Sequence, residues 1–550
     1  MVLVWVDRGL WFYRDEWDMI ARTTTALTLH NLFFPHNVHW STGEVLEYRA
    51  LVAVFGLRTY VPFLLVLFAV QLTLAHLLWR LMLRIGVNAW IATALAAVFV
   101  VLGSGVQNLD NAFQVSFPAP LALGITALLI VDRPGPLSWR RNATAAVLLL
   151  LAFMCGPPAF PVTLACVLVA LGRRGLRSAA QLVLIPGATY VVWFALIGHK
   201  GNTPKVTLPT ALKVPSYVFT GLSKTFALNV GWTQLTGHVP IGGIAVVGGI
   251  LAGLLFGHLL IRIRDVRGPA LPAFALALGA LFFYAVVAFG RVSLGTSDAA
   301  ATRYVFVVVA LLLPASGLLL TSVLSLWHGN RLMMIVPVIC LMVFAFANVS
   351  LLISSLRQLR PITEAGRAQV LGTTWLLQSG APIVQGQLPS SIGPLVTTQL
   401  ISTMLKKGYF GTAVHVTEAD RVSARALLQV SQSPAPYFDT LGRHPKIIGL
   451  NHVVSVSSAG STCLEASPKA DKAEITFYVY APWSVSLYAP FNASVKMVLQ
   501  DAHENGPTAP VRNFHVSALQ RSYLNFLTGG IRIHLIPHHR VLVCGVTPPA

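Results

Sequence analysis

The chain has 550 residues, of which 55% are hydrophobic and 11% are charged. A soluble domain must have a polar surface, so this composition excludes an ordinary soluble protein over the whole length. Lys and Arg together number 39 against 19 Asp and Glu, which gives a net charge of +20. Most arginines of the apolar region fall in loops where membrane topology requires them, so the excess does not indicate a nucleic-acid partner.

Residues 1–59 are predicted to form an N-terminal remnant and the first external loop. Residues 1–6 are apolar, but Asp7 and Arg8 follow at once. This stretch is therefore too short to span a membrane, and it lacks the hydrophobic core of a signal peptide. Since a long external loop is normally delivered by a preceding transmembrane helix, we expect that the first helix is truncated in this sequence by a start assigned too late. The alternative is an N-terminus that is translocated without such a helix.

Three acids lie within four residues of this loop, namely Asp15, Glu16 and Asp18. Like charges crowded at a membrane edge cost free energy unless they bind a cation, a donor or a proton. The cluster therefore predicts a functional site beside the apolar segments. The alternative is an interfacial acidic patch that pairs with Arg14 and Arg22.

Residues 60–354 alternate apolar segments with short polar loops, which predicts a polytopic α-helical membrane domain with about ten visible spans. The predicted segments are residues 60–79, 89–106, 117–132, 143–157, 158–172, 179–198, 241–261, 269–290, 304–326 and 332–354. The fourth and fifth are short enough to form a broken or re-entrant pair. Every second loop carries arginines and is expected to be cytoplasmic, which places the acidic loop and the C-terminal region outside.

Further polar side chains lie in the loops that this topology places outside. His36 and His39 are spaced to share one face of a helix, which suits a metal site or hydrogen bonds to a sugar. Asn108, Asn111 and Gln114 crowd one later loop and suit a sugar site. The alternatives are ordinary interfacial hydrogen bonding for the histidines and an ordinary polar loop for the amides.

Arg291 and Arg303 flank another external loop, between two apolar segments. A guanidinium group binds phosphate through two parallel hydrogen bonds, so both arginines are predicted to bind a lipid phosphate. The alternative is that these side chains only extend along apolar surface to reach the interface.

Residues 355–550 are predicted to form a separate extracytoplasmic domain that becomes β-rich toward its end. A helix is expected at residues 361–378, and residues 473–480 and 531–536 have the composition of strands. We expect a small β-sandwich-like domain. Cys463 and Cys544 both lie here, and a disulfide between them would suit an oxidising compartment.

Short motifs along residues 10–320 carry a resemblance to a known group of proteins. They are Tyr13, Arg14, Asp15, Glu16, Trp17 and Asp18; Pro35, His36, Asn37, His39 and Trp40; Tyr48, Arg49, Ala50 and Leu51; Phe55, Gly56 and Leu57; Asn108, Asn111, Ala112, Phe113 and Gln114; and Gly290, Arg291, Ala301, Arg303 and Tyr304. In these motifs the chain resembles the membrane-embedded glycosyltransferases of the GT-C superfamily. It is also similar to uncharacterised bacterial multi-pass proteins.

The resemblance implies roles for the acids and the arginines. GT-C enzymes use a polyprenyl-phosphate-linked sugar as donor and carry an acidic motif in the first external loop, which makes Asp15 the expected catalytic carboxylate. It would accept or position the proton of the acceptor hydroxyl, and partial burial near a second acid is expected to raise its pKa. Glu16 or Asp18 would share the proton or hold Mg²⁺ or Mn²⁺, and Arg291 and Arg303 would stabilise the phosphate leaving group.

The sequence therefore predicts a glycosyltransferase of the bacterial plasma membrane. It would move a sugar from the lipid donor to an extracytoplasmic cell-envelope glycan, glycolipid or protein. The alternative is a non-enzymatic transporter or scaffold for envelope lipids, whose polar residues would line a path across the bilayer midplane. Here the polar clusters lie at the predicted external ends of the spans, which favours chemistry at one surface.

Overall fold

The computed structural model describes two compact units, Met1–Ile362 and Thr363–Ala550. The expected boundary at residue 355 therefore lies a few residues before the boundary between the units. The structure describes residues 9–133, 135, 138–201, 207–230, 241–262, 268–326, 335–386, 388, 396–411, 416–438, 446–451, 453–458, 461–466, 473–479, 481–501, 507–509 and 512–544.

The first unit is built from helices. They are α1 (Glu16–Thr23), α2 (Leu29–Phe33), α3 (Thr42–Phe55), α4 (Val61–Arg84), α5 (Ala89–Val100), α6 (Pro118–Val131), α7 (Trp139–Phe153), α8 (Ala159–Arg174), α9 (Leu176–Leu196), α10 (Leu208–Ala211), α11 (Val214–Asn229), α12 (Ile241–Ile261), α13 (Leu271–Arg291), α14 (Thr302–Leu326) and α15 (Ile335–Gln378). Two 3₁₀ helices, Gly103–Asn108 and Ala112–Ser116, replace the end of the predicted span at 89–106 and the loop after it.

Six helices among the described residues are long and apolar enough to cross a membrane, which indicates an integral membrane protein. They are Val61–Arg84, Ala112–Val131, Leu176–Leu196, Leu271–Arg291, Thr302–Ser325 and Val338–Gln378. The other four predicted segments fall on α5, α7, α8 and α12. Over the described residues these helices do not have both the length and the hydropathy that a membrane span requires. The total of about ten spans and their orientation stay predictions.

Helix packing in this unit depends on small residues at close contacts. A Cβ atom at Gly248 in α12 would lie 1.8 Å from the backbone oxygen of Ser223 in α11. A Cβ at Gly103 would lie 1.8 Å from the backbone oxygen of Asn348 in α15. Since no side chain fits at either distance, glycine is what lets these backbones approach.

The helix predicted at residues 361–378 is the end of α15, a single helix of 44 residues with Pro361 inside it. The predicted span at 332–354 ended where the apolar run ends. The backbone hydrogen bonds of a helix do not require apolar side chains, so a helix can extend past its apolar run, and here it extends to Gln378. Hydropathy located the apolar run and not the end of the helix.

The second unit contains two short helices, α16 (Thr398–Lys406) and α17 (Glu418–Leu428), and two antiparallel sheets. The strands are β1 (Val430–Ser433), β2 (Lys446–Asn451), β3 (Val453–Ser458), β4 (Ser461–Ala466), β5 (Glu474–Val479), β6 (Trp483–Tyr488), β7 (Ala493–Asp501), β8 (Arg512–Val516), β9 (Arg521–Phe526), β10 (Ile531–Pro537) and β11 (Val541–Cys544). Their order is β1-β9-β6-β11-β4-β3 in one sheet and β2-β5-β10-β7-β8 in the other.

Both sheets contribute to one hydrophobic core, as in a β-sandwich. Along β10 every second residue is buried, namely Ile531, Ile533, Leu535 and Pro537. The two strands predicted from sequence correspond to β5 and β10, which are neighbours in the same sheet. Cys463 in β4 and Cys544 in β11 are register partners and are joined by a disulfide.

Candidate active site

Asp15 stands at the start of α1 with its side chain half exposed. The preceding residue, Arg14, has a φ of 51°, which turns the chain sharply into the helix. Although Asp15 occupies the N-cap position, its side chain makes no capping hydrogen bond. The carboxylate is therefore available to groups outside its own helix.

His36 lies between two carboxylates of α1. Its Nδ1 atom is 2.7 Å from Oδ2 of Asp18, and its Nε2 atom is 3.9 Å from Oδ2 of Asp15. Burial acts to lower the pKa of the ring, but the two carboxylates outweigh burial and raise the pKa of His36 to about 9. His36 is therefore an imidazolium cation at neutral pH.

Arg22 completes this ion-pair cluster. Its Nη2 atom donates to Oδ2 of Asp18 at 2.9 Å, and its guanidinium also donates to the backbone oxygens of Phe34 and Pro35. Burial acts to raise the pKa of Asp18, but His36 and Arg22 outweigh it and lower that pKa. Arg22 thus ties α1 to the segment that presents His36, and Asp18 is ionised and committed to protein donors.

Asp15 differs from what the sequence predicted. The His36 imidazolium lowers the pKa of Asp15, burial raises it, and the Arg303 guanidinium lowers it further, so that the pKa falls below its usual value. The prediction of a raised pKa is corrected because it counted the neighbouring acids and burial only. The two cations that decide the outcome come from distant parts of the chain, and Asp15 is a carboxylate at neutral pH.

The two histidines do not share a helical face, which corrects the second expectation for this loop. Their backbones exchange hydrogen bonds of 3.0 and 2.9 Å across a tight turn, and Asn37 inside that turn has a φ of 54°. Burial lowers the pKa of His39 to about 4, with help from the positive charges of His36, Arg291 and Arg303. The turn thus places a neutral imidazole next to a charged one.

Glu16 is separated from this cluster although it is next to Asp15 in sequence. It is fully buried, and it accepts hydrogen bonds from the hydroxyl of Tyr48 at 2.7 Å, the hydroxyl of Tyr60 at 2.8 Å and the backbone N–H of Tyr13 at 2.7 Å. Burial raises the pKa of Glu16 to about 8 in spite of these donors. Glu16 therefore anchors α1 to α3 and to the start of α4, and it does not face the open site.

The arrangement does not fit the predicted Mg²⁺ or Mn²⁺ ion. Over the described part of the chain, no group of three or more His, Cys, Asp or Glu side chains could hold a metal. Oδ2 of Asp18 accepts from both Arg22 and His36, and both oxygens of Glu16 accept from protein donors. The two acids proposed to support a metal are thus already engaged.

Arg303 is held in place by its own loop and by the 3₁₀ helix Gly103–Asn108. Asn108 donates from Nδ2 to the backbone oxygen of Arg303 at 3.0 Å. The guanidinium lies 4.8 Å from the centre of the Tyr304 ring and 3.9 Å from Oδ1 of Asp298. The Arg303 side chain is 29% exposed, so this fixed cation remains partly open, and its charge acts on Asp15.

The other predicted ligand-binding residues divide into two groups. Asn108 fixes Arg303, and the side-chain oxygen of Asn111 caps the helix Ala112–Ser116 by accepting from the N–H of Phe113. These hydrogen bonds are structural, and the substrate-binding roles of both amides stay predictions. The Oδ1 atom of Asn108 is buried with no hydrogen-bond partner among the described residues. Gln114 and Arg291 form the second group, whose side chains are not shown in a structural hydrogen bond. The Oε1 atom of Gln114 is buried with no hydrogen-bond partner among the described residues. Arg291 is the last residue of α13, and its positive charge acts on His39.

The sequence analysis named Arg22 as a partner in its alternative interpretation of the acidic patch, and the structure pairs Arg22 with Asp18. It missed His36, Tyr48 and Tyr60, whose contacts leave Asp15 in the open site and Glu16 buried. The spacing of Asp18 and Arg22, one helical turn apart, was a usable signal for their ion pair. Nothing local in the sequence connected His36 to Asp18 or Tyr60 to Glu16, because those contacts join segments that are 18 and 44 residues apart.

No protein-family model matches the chain, and no curated protein matches it. Among solved structures, it is similar to the cryo-EM structure of the arabinosyltransferase EmbB from Mycobacterium smegmatis, with 10% identity and a TM-score of 0.35. The similarity covers 98% of this chain and 63% of that chain, so this chain spans less than two thirds of its neighbour. At this TM-score the likeness decides neither fold family nor activity, which are argued from the residues.

Proposed function

We propose that the chain is a membrane glycosyltransferase of the GT-C type, with Asp15 as the catalytic carboxylate. It transfers a sugar from a polyprenyl-phosphate donor to an extracytoplasmic glycan, glycolipid or protein at the bacterial plasma membrane. One observation carries the proposal. Asp15 is a half-exposed, ionised carboxylate that lies 3.9 Å from the His36 ring and within electrostatic reach of Arg303. It belongs to a unit with helices that are apolar enough to cross the membrane that would hold a lipid donor.

In this reaction the acceptor hydroxyl attacks C1 of the donor sugar on the face opposite the phosphate. The bond from the hydroxyl oxygen to C1 forms, the bond from C1 to the phosphate oxygen breaks, and the lipid phosphate leaves with the electron pair. Asp15 takes the hydroxyl proton. A hydroxyl becomes more acidic as it bonds to the sugar carbon, so even a carboxylate of low pKa accepts that proton late in the step.

Arg303 supplies positive charge for the leaving phosphate, and Arg291 near His39 is the second candidate. A preorganised guanidinium stabilises the charge that develops on the phosphate oxygen. The same cation lowers the pKa of Asp15 when the site holds no anion. A donor phosphate bound at Arg303 offsets that effect, so donor binding makes Asp15 the stronger base that the transfer needs.

The test is release of polyprenyl phosphate by the full-length protein with a set of polyprenyl-phosphate sugars. Asp15→Asn keeps the shape of the side chain and removes the base, so release is expected to fall by about 10²-fold or more. Glu364→Gln is the matched control, since it removes one exposed carboxylate elsewhere. Unchanged release in Asp15→Asn would overturn the catalytic role. A deletion phenotype that Asp15→Asn fully rescues would favour the lipid transporter or scaffold.

A further inference from the structure

A polar cavity lies at the C-terminal end of helix α8. The segment before α8 packs against the 3₁₀ helix Ala112–Ser116, because a Cβ at Gly156 would lie 2.7 Å from the backbone oxygen of Ser116. Helix α8 then runs 16 residues to Arg174, a rise of about 24 Å. The cavity at that end has a volume of about 450 Å³, and its wall is formed by Gly135, Asn142, Arg173, Arg174, Arg177, Ser178 and Gln181.

Three arginines give this cavity its positive charge. Arg173 donates to Oδ1 of Asp132 at 2.9 and 3.2 Å, and Arg174 donates to the backbone oxygens of Val131 and Gly135 at 2.7 and 3.0 Å. These two guanidinium groups are therefore fixed in the wall. Burial is the main cause that lowers the pKa of Arg174, and the neighbouring charge of Arg173 lowers it further, while Asp132 opposes both.

Arg177, the first turn of α9 and Asn142 also line the cavity, and together they suit a ligand that carries both a negative charge and hydroxyl groups. Arg177 is exposed, and it belongs to the first turn of α9, where unpaired backbone N–H groups favour negative charge. Gly175, with a φ of 83°, provides the sharp turn between α8 and α9. The buried side-chain oxygen of Asn142 has no hydrogen-bond partner among the described residues, so it can accept from a hydroxyl of a ligand.

An apolar surface continues from this cavity along α9. The helix is one of the six candidate spans, and after Gln181 it exposes Leu184 at 68%, Ile185 at 62% and Val191 at 64%. A free phosphate would use the arginines alone. A molecule with an anionic head and an apolar tail would use the arginines and the adjoining surface together.

We propose that this cavity binds the phosphate-bearing head group of an anionic phospholipid, whose acyl chains lie along the exposed apolar face of α9. Arg177 is the arginine that meets the phosphate, because Arg173 and Arg174 are engaged in the wall. The volume is sufficient for a head group, since pockets for small molecules are about 300–1,000 Å³. The site does not depend on Asp15 or on sugar transfer.

The experiment measures lipid retention by the full-length protein with native mass spectrometry, after titration with phosphatidylglycerol, phosphatidylcholine or inorganic phosphate. Phosphatidylglycerol is expected to be retained in preference to phosphatidylcholine. Arg177→Gln and Gln181→Glu should each weaken its retention about fivefold, the effect of one charge near an anionic membrane surface. Arg80→Gln is the matched control, because Arg80 is an exposed arginine outside the wall.

The outcomes separate a lipid site from a general anion site. Equal retention of both lipids, or phosphatidylglycerol retention that neither Arg177→Gln nor Gln181→Glu changes, would overturn the proposal. If inorganic phosphate displaced phosphatidylglycerol at equal concentration, the cavity would be a site for a free anion. That result would overturn the proposal of a phospholipid site. Both substituted residues are exposed, so the variants should unfold at the wild-type temperature, and that measurement confirms that a loss of lipid is local.

Discussion

The Nδ1 atom of His36 lies 2.7 Å from Oδ2 of Asp18, a contact between residues that are 18 positions apart. On its other side the same ring faces Asp15 at 3.9 Å. The His36 imidazolium thus lies between Asp18, which is already paired with protein donors, and the half-exposed Asp15. This relationship sets the ionisation of Asp15, and the first prediction rests on it.

Replacing His36 by Gln should move the acidic limb of the pH–rate profile to higher pH. His36 is the largest influence that lowers the pKa of Asp15, so its removal raises that pKa, and a higher pH is then needed to ionise the base. The measurement is the rate of polyprenyl phosphate release against pH. His30→Gln, an exposed histidine in the same loop, should leave the limb in place. An unmoved limb in His36→Gln would show that His36 does not tune the carboxylate.

Glu16 should make the protein less stable as pH rises. Its pKa is raised from 4.5 to about 8 in the folded state, so its contribution is fully present below pH 4.5 and is lost as pH rises through about 8. The thermal unfolding midpoint in detergent should therefore fall between pH 6 and pH 9 by more in the wild type than in Glu16→Gln. Identical falls in the two proteins would contradict the buried, protonated state of Glu16.

The disulfide between Cys463 and Cys544 should stabilise the second unit. It closes a loop between residues separated by 81 positions, and removing such a crosslink typically costs about 2–4 kcal/mol. A double variant, Cys463→Ser with Cys544→Ser, should unfold at a lower temperature than the oxidised full-length protein. Reductant should lower the midpoint of the wild type and leave the double variant unchanged. If the reductant lowered the midpoint equally in the wild type and the double variant, the stabilisation would come from other cysteines and not from this disulfide.

Two glycines of α12 should respond oppositely to the same substitution. At Gly248 a Cβ would lie 1.8 Å from the backbone oxygen of Ser223, whereas at Gly253 it would meet no atom within 4 Å. Gly248→Ala should destabilise the protein by about 1–3 kcal/mol through overpacking. Gly253→Ala should be neutral or stabilise it by about 0.5–1 kcal/mol through helix propensity. Equal effects in thermal unfolding would contradict the close packing of α11 on α12.

The apolar segments were predictable because the bilayer imposes a length and a composition on every span, and both are local properties of the sequence. Over the described residues each of the ten predicted segments overlaps a helix, and six of these helices have the length and hydropathy to cross a membrane. Strands β5 and β10 were predictable for a similar reason, since alternation along a strand is local. Helix ends were less predictable, as α15 shows by continuing beyond its apolar run.

The sequence by itself determined that the chain is membrane-embedded and that scarce acids crowd around Asp15. Only the tertiary structure decided what each acid does. Glu16 turns inward to Tyr48 and Tyr60, Asp18 is paired, and Asp15 is left half exposed between cations. The physical reason is that pKa and exposure depend on charges and burial in space, which come from segments far apart along the chain.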